Sequence, residues 1–133
     1  MKIESKKVTV AAAGDAVFDY ITDLNNFKHL LPAERISEWE SREDYCSFKV
    51  QGTATIDLKL TETERPVRVR MESGDRSPFP FTLEVFLESS GEETTAYQLM
   101  QADVNPFLKM MVEKPLSNLF DYIADRLTEV LGN

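Results

Sequence analysis

Between residues 35 and 104, apolar and polar residues alternate along the chain with a period of two. Turn-forming residues, among them Gly52, Pro66, Gly74 and Gly91, separate the alternating stretches. This pattern predicts antiparallel strands with one buried face. Together with a strand over 2–11 and a weaker one over 35–40, about seven strands are predicted. The clearest stretches are 46–51, 54–61, 67–72, 83–88 and 96–104.

The apolar spacing becomes helical before this region. Val17, Phe18 and Ile21 lie at positions i, i+1 and i+4, which predicts a short helix over residues 14–23. A second short helix is predicted over 24–31, because apolar residues fall on one side there and Pro32 cannot continue a helix. We therefore expect two short helices after the first strand.

A long helix is predicted after the last strand, from Asn105-Pro106 to Leu131. Asn is a good N-cap and Pro is favoured at the first helical position, while Gly132 lies where a helix would end. Pro115 lies inside the segment and is expected to remove a hydrogen bond and kink the axis. The predicted apolar stripe consists of Leu116, Phe120, Ile123, Leu127 and Val130.

A long terminal helix after a run of strands must bury its apolar face against the sheet. The sequence therefore predicts an α+β fold in a single domain over residues 1–133, with room for a pocket between helix and sheet. The Met-rich start of the helix, with Met110 and Met111, favours a space there, because thioethers adapt to irregular shapes.

Charge and cysteine content narrow the classes of partner. The net charge of −8 argues against nucleic acid and anionic membrane surfaces as partners. One cysteine allows no intrachain disulfide, and the N-terminus lacks the apolar stretch of a signal peptide, so a cytoplasmic location is expected. No apolar run approaches the roughly 20 residues of a transmembrane helix, so no stable membrane insertion is expected.

Two segments are similar to a known superfamily. The stretch from Val17 to Phe27, closing on Leu31-Pro32, resembles the early helix pair of the START/birch-pollen-allergen (SRPBCC) superfamily. The segment from Asn105 onward resembles its terminal helix, and the order of elements is similar to its helix-grip fold. The resemblance implies a sheet wrapped around the terminal helix with an apolar cavity between them. The superfamily includes lipid and sterol carriers, polyketide cyclases, ring-hydroxylase subunits and chaperone activators.

The superfamily has no shared catalytic motif, so the resemblance assigns no catalytic residue. The chain also lacks the Cys and His pairs of a metal-carrying hydroxylase subunit, and we expect neither a metal nor another cofactor. The expected floor of the cavity consists of Ile56, Leu58, Val69, Met71, Leu83, Val85 and Met100. The expected roof consists of Met111, Pro115, Leu119 and Ile123.

Three polar or reactive residues are candidates for chemistry. Gln98 interrupts an apolar strand face, so its amide needs a partner, which is a ligand, a water or another side chain; with the opposite strand parity it would be exposed. His29, the only histidine, is a proton donor or ligand contact, or else an exposed loop residue. Cys46 has the apolar parity of its strand, which favours a small buried hydrophobe.

Three functions fit the sequence. The first is binding of an apolar or amphipathic, lipid- or polyketide-like small molecule in the cavity. The second is a cyclase or dehydratase that uses the same cavity, with His29 or a buried acid for proton transfer. The third is a protein-interaction module with a filled core and an exposed patch at Phe86, Tyr97 and Leu99, which could also be a homodimer contact. A cavity and a core are encoded by the same apolar alternation, so the sequence leaves the choice open.

Overall fold

The computed structural model of the protein describes residues 1–52 and 54–132. Within these residues, eight strands form one antiparallel sheet in the order β1-β8-β7-β6-β5-β4-β3, with β2 also paired to β8. The α+β prediction is confirmed. The strands are β1 Lys2–Glu4, β2 Val8–Val10, β3 Ile36–Arg42, β4 Tyr45–Val50, β5 Thr55–Glu64, β6 Arg68–Ser73, β7 Phe81–Ser90 and β8 Glu93–Ala102.

The predicted first strand is divided into β1 and β2, which is why the described chain has eight strands rather than about seven. Ile3 faces Met100 and Val8 faces Ala96, so five steps along the N-terminal segment match four along β8. The extra residue produces a bulge. Ser5 bridges it, because its N–H donates to the carbonyl oxygen of Gln98 at 2.9 Å.

The two short helices differ in type. The first, α1, is an α-helix over Gly14–Ile21, and Asp15 lies in its first turn, where the helix dipole favours a carboxylate. The second is a 3₁₀ helix over Leu24–Leu30, whereas the sequence predicted only a short helix there. A further 3₁₀ turn covers Ala33–Arg35.

The long helix α2 covers Pro106–Leu131, as predicted. The Asn105 side chain accepts a hydrogen bond from the Leu108 N–H at 2.8 Å, and the Gly132 N–H closes the other end on the Thr128 carbonyl. Its buried residues all lie after Pro115. They are Leu116, Leu119, Phe120, Ile123, Ala124 and Leu127.

The second half of α2 lies over the inner face of the sheet, and the 3₁₀ helix lies beside it. The ring of Phe27 in the 3₁₀ helix stacks on Phe48 of β4 at 6.5 Å, and Trp39 stacks on Phe48 at 6.0 Å. The core is thus enclosed by the sheet, α2, the 3₁₀ helix and α1, which contributes Val17, Phe18 and Ile21. No helix in the described part of the chain is long and apolar enough to cross a membrane.

Candidate functional site

The interface between α2 and the sheet contains two small enclosed spaces, as far as residues 1–52 and 54–132 show. Each has a volume of about 20 Å³. The first lies near the 3₁₀ helix, and its lining includes Ile21, Leu30, Met71, Val85, Gln98 and Leu127. The second lies nearer the start of the packed part of α2, and its lining includes Phe48, Leu58, Phe81, Met100, Leu116 and Leu119.

Phe27 and Ile123 line both spaces. They lie on opposite elements, the 3₁₀ helix and α2, so the two spaces share part of their walls. The sequence predicted Ile123 in the roof but missed Phe27 and Leu30. The one-sided apolar pattern of residues 24–31 was the signal that could have placed them there.

Most of the predicted lining residues are buried in this interface. Val69 is buried but lines neither space. The structure does not bring Met111 and Pro115 to the site, because both side chains are exposed. Leu116 is the first fully buried residue of the helix, and in the preceding turns Leu108 and Val112 are partly buried against the core. The other predicted residues that line a space are Ile56, Leu58, Met71, Leu83, Val85, Gln98, Met100, Leu119 and Ile123.

Gln98 is the polar residue of the first space, and it is 4% exposed. Its Nε2 donates to the Phe120 carbonyl oxygen on α2 at 2.9 Å. Its Oε1 has no hydrogen-bond partner within the described chain. The strand parity that buries Gln98 is thus confirmed, and a buried acceptor is left free at the wall of an apolar space.

Hydrogen bonds join the 3₁₀ helix to α2 and to α1 beside this site. The Arg126 Nε of α2 donates to the His29 carbonyl oxygen at 3.1 Å. The Asn26 side chain donates to the carbonyl oxygen of Tyr20 in α1 at 3.0 Å. The side chain of His29 is itself exposed and lines neither space, so the structure does not place it where it could act on a molecule held there.

Comparison with known proteins identifies the architecture. No family model matches the chain, and no curated protein matches it. A START superfamily protein from Mycobacterium smegmatis is 12% identical, with 98% of this chain and 96% of that chain covered and a TM-score of 0.70. Norcoclaurine synthase from Thalictrum flavum, in complex with dopamine and hydroxybenzaldehyde, is 14% identical, with coverages of 98% and 85% and a TM-score of 0.73.

The chain has the START-like helix-grip fold. A protein from Arthrobacter aurescens has the same arrangement and is 15% identical to this chain. The match covers 98% of this chain and 85% of the Arthrobacter protein, with a TM-score of 0.76. At these identities the similarity shows the fold alone.

A second polar cluster lies on the outer face of this helix-grip sheet. Asp57 is 2% exposed, because the loop between β6 and β7 folds over it. Ser77 Oγ donates to Asp57 Oδ1 at 2.5 Å, and the Gly74 N–H donates to the same oxygen at 2.9 Å. Tyr45 and the Arg76 N–H donate to Oδ2, each at 3.3 Å. A Cβ at Gly74 would lie 2.1 Å from Oδ2, so this close approach requires glycine.

Local periodicity does not indicate this cluster, because Asp57 has the parity of an exposed residue and its covering loop belongs to another part of the chain. Since three of its four hydrogen bonds come from loop residues, the carboxylate anchors the loop to the sheet. Among the residues the structure describes, no three His, Cys, Asp or Glu side chains are grouped as metal ligands would be.

Cys46 is fully buried on the inner parity of β4, as predicted. Burial, together with the nearby Asp57 carboxylate, raises the pKa of the Cys46 thiol to about 12. A thiolate is therefore strongly disfavoured at neutral pH, which fits a packing role.

The exposed apolar surface is not where the sequence placed it. Phe86, Tyr97 and Leu99 on the outer face are only partly exposed. The rings of Phe86 and Tyr97 stack at 5.2 Å, and Lys7 lies over Tyr97. The most exposed large apolar side chains of the described residues lie instead in the first two turns of α2; they are Phe107, Met110 and Met111.

Proposed function

We propose that the protein binds a small apolar or amphipathic molecule between α2 and the inner face of the sheet. The observation that carries this proposal is the pair of small apolar spaces whose linings share Phe27 and Ile123. We expect these two side chains to form the partition between the spaces, so that their movement joins them. Apolar walls with a few placed polar groups are typical of ligand sites. The norcoclaurine synthase structure contains dopamine and hydroxybenzaldehyde, so a protein of this fold binding small aromatic molecules supports the proposal.

The structure is that of a closed state. A space of about 20 Å³ holds one water molecule, which is far less than any organic ligand needs. Binding therefore requires the Phe27 ring to move and the two spaces to join. The 3₁₀ helix that carries Phe27 is the element suited to this movement, because 3₁₀ hydrogen bonds have poorer geometry than α-helical ones.

A fluorescence titration with the neutral probe N-phenyl-α-naphthylamine tests this proposal. Phe27→Leu should bind the probe several-fold more tightly than the unmodified protein. Leucine is smaller than phenylalanine, so the probe has to displace less of the partition. Ala124→Leu should bind more weakly, because the larger side chain fills the first space.

Phe79→Leu is the matched control, because Phe79 is buried against Phe81 but lines neither space. It should destabilise the fold to a similar degree and leave probe affinity unchanged. The proposal is overturned if neither the unmodified protein nor Phe27→Leu shows saturable binding while circular dichroism shows both to be folded.

The exposed turns at the start of α2 favour a second candidate, an interaction module whose first partner to test is another copy of the chain. Phe107 and Met110 are 67% and 75% exposed, and apolar surface of this kind is typical of contact sites. Light scattering across a range of concentrations should show a dimer that Phe107→Ser abolishes. A monomer at every concentration would exclude self-association through this surface.

A further inference from the structure

We infer that Gln98 makes the site selective for molecules that carry a hydrogen-bond donor, a hydroxyl or an amine, over molecules that offer only an acceptor. This inference rests on the proposed function and names the class of ligand. It is carried by two observations: Gln98 lines the first space, and its buried Oε1 atom accepts no hydrogen bond within the described chain.

The position of Gln98 is fixed from both sides. Its main-chain N–H donates to Ser5 Oγ at 2.9 Å, and its main-chain carbonyl accepts from the Ser5 N–H. Its side chain reaches across to α2 and donates to the Phe120 carbonyl at 2.9 Å. The amide therefore cannot turn toward another partner without losing a buried hydrogen bond.

The orientation of the amide is fixed as well. A side-chain amide has one donor end and one acceptor end. If it were rotated by half a turn, Oε1 would face the carbonyl oxygen of Phe120, and two acceptors would meet. The group that Gln98 presents to the space is consequently an acceptor.

A water molecule is a poor permanent partner for this acceptor. The space holds one water, and buried waters usually make about three hydrogen bonds. The other polar side chain of the lining is that of Tyr97, whose ring stacks on Phe86 on the outer face. A water here would bond to the side chain of Gln98 and otherwise meet apolar walls, so it is readily displaced.

A matched ligand therefore has an apolar body and a single donor, as a phenol or an alcohol has. Its donor hydrogen bonds to Oε1 and its body fills the joined spaces between Met71, Val85 and Ile123. A ketone or an ether of the same shape would set its oxygen against Oε1. It would leave the buried acceptor unpaired, which is the costlier outcome.

The test compares β-naphthol with its methyl ether, which keeps the ring system and the oxygen but lacks the donor. Both are titrated into the unmodified protein and into Gln98→Met, a side chain of similar length without the amide. The unmodified protein should prefer β-naphthol by about tenfold, as expected for one buried hydrogen bond. The preference should fall to near one in the variant, and comparing the two ratios cancels the size of the extra methyl group.

The outcomes separate this inference from the proposed function. If both compounds bind and the preference is the same in Gln98→Met, donor selection is overturned and ligand binding stands. If neither compound binds the unmodified protein, both proposals fail.

Because Gln98→Met also removes the bond to Phe120, a second measurement uses the unmodified chain. The chemical shift of the Gln98 side-chain carbonyl carbon should move when β-naphthol binds and stay unchanged with the ether. Equal shifts with the two compounds would overturn donor selection without any substitution.

Discussion

At the residue scale, Asp57 shows how a charge becomes buried on the solvent side of a sheet. Burial by itself raises the pKa of Asp57. Hydrogen bonds from Ser77, from two loop N–H groups and from Tyr45 outweigh that effect, so the pKa lies below its ordinary value. The carboxylate is therefore stabilised in its charged form by the loop it anchors.

Asp57→Asn should lower the free energy of unfolding by about 2 kcal/mol, because hydrogen bonds to a charged acceptor are replaced by weaker or unmade ones. Urea denaturation measures the change. Asp75→Asn is the control, since Asp75 is exposed in the same loop and its substitution should change stability by less than about 0.5 kcal/mol. Equal effects of the two substitutions would contradict the anchoring role.

The pH dependence of stability follows from the same carboxylate. The pKa of Asp57 is lower in the folded protein than in the unfolded chain, so the unfolded chain binds more protons in the acid range. The contribution of Asp57 to stability is therefore fully present above the unfolded pKa of about 3.9. It is lost as the pH falls through the lower pKa of the folded state. Denaturation curves between neutral pH and the acid range should show this loss. The free energy of unfolding should fall less steeply with decreasing pH in Asp57→Asn than in the unmodified protein. An unchanged pH dependence would show that other carboxylates are responsible for it.

At the scale of elements, α2 is packed more deeply after Pro115 than before it. All its fully buried residues follow Pro115, and the preceding turns carry the exposed Phe107, Met110 and Met111. Pro115 lacks the N–H that would bond to the carbonyl of residue 111. The first turns contact the core only through partly buried side chains, so the cap at Asn105 should matter for their stability.

Asn105→Ala should destabilise the protein by about 1 kcal/mol, because the side chain no longer accepts the Leu108 N–H. Asn118→Ala is the matched control, since Asn118 is exposed in the helix interior, where alanine is the better helix former. Thermal unfolding of the two variants measures the difference. A loss of stability in Asn118→Ala as large as in Asn105→Ala would show that the cap is unimportant.

At the scale of the whole molecule, the proposed function requires the 3₁₀ helix to move as one wall of the site. It is fastened to α2 through the Arg126 bond to the His29 carbonyl and to α1 through Asn26. The strands β6, β7 and β8, in contrast, are joined by continuous antiparallel ladders. Opening of the site should therefore be a local event that leaves the sheet intact.

Arg126→Met should raise amide hydrogen exchange in residues 26–31 while changing global stability by less than about 1 kcal/mol, because a partly exposed hydrogen bond contributes little to the total. Hydrogen exchange measured by mass spectrometry or NMR distinguishes local opening of this segment from global unfolding. Faster exchange spread evenly over the sheet would contradict a local opening.

The agreement between sequence and structure follows the range of the interactions involved. The strands and α2 were predictable, since alternation, capping by Asn105 and the stop at Gly132 depend on neighbours along the chain. The residues predicted for the floor are buried because parity determines which face of a strand is buried. The loop over Asp57 and the place of Phe27 in the site were not predictable, because both depend on contacts between distant segments.

The sequence by itself determined that an antiparallel sheet buries one face against a long terminal helix, because each of those features is written in local periodicity. Only the tertiary structure decided that the spaces left between them are small, since a cavity and a core differ in how side chains from the sheet and the helices meet. The tertiary structure also determines that the Gln98 side chain donates to the Phe120 carbonyl, while its Oε1 accepts no hydrogen bond within the described chain. This arrangement depends on the position of one helix carbonyl opposite one strand residue, which no local pattern encodes.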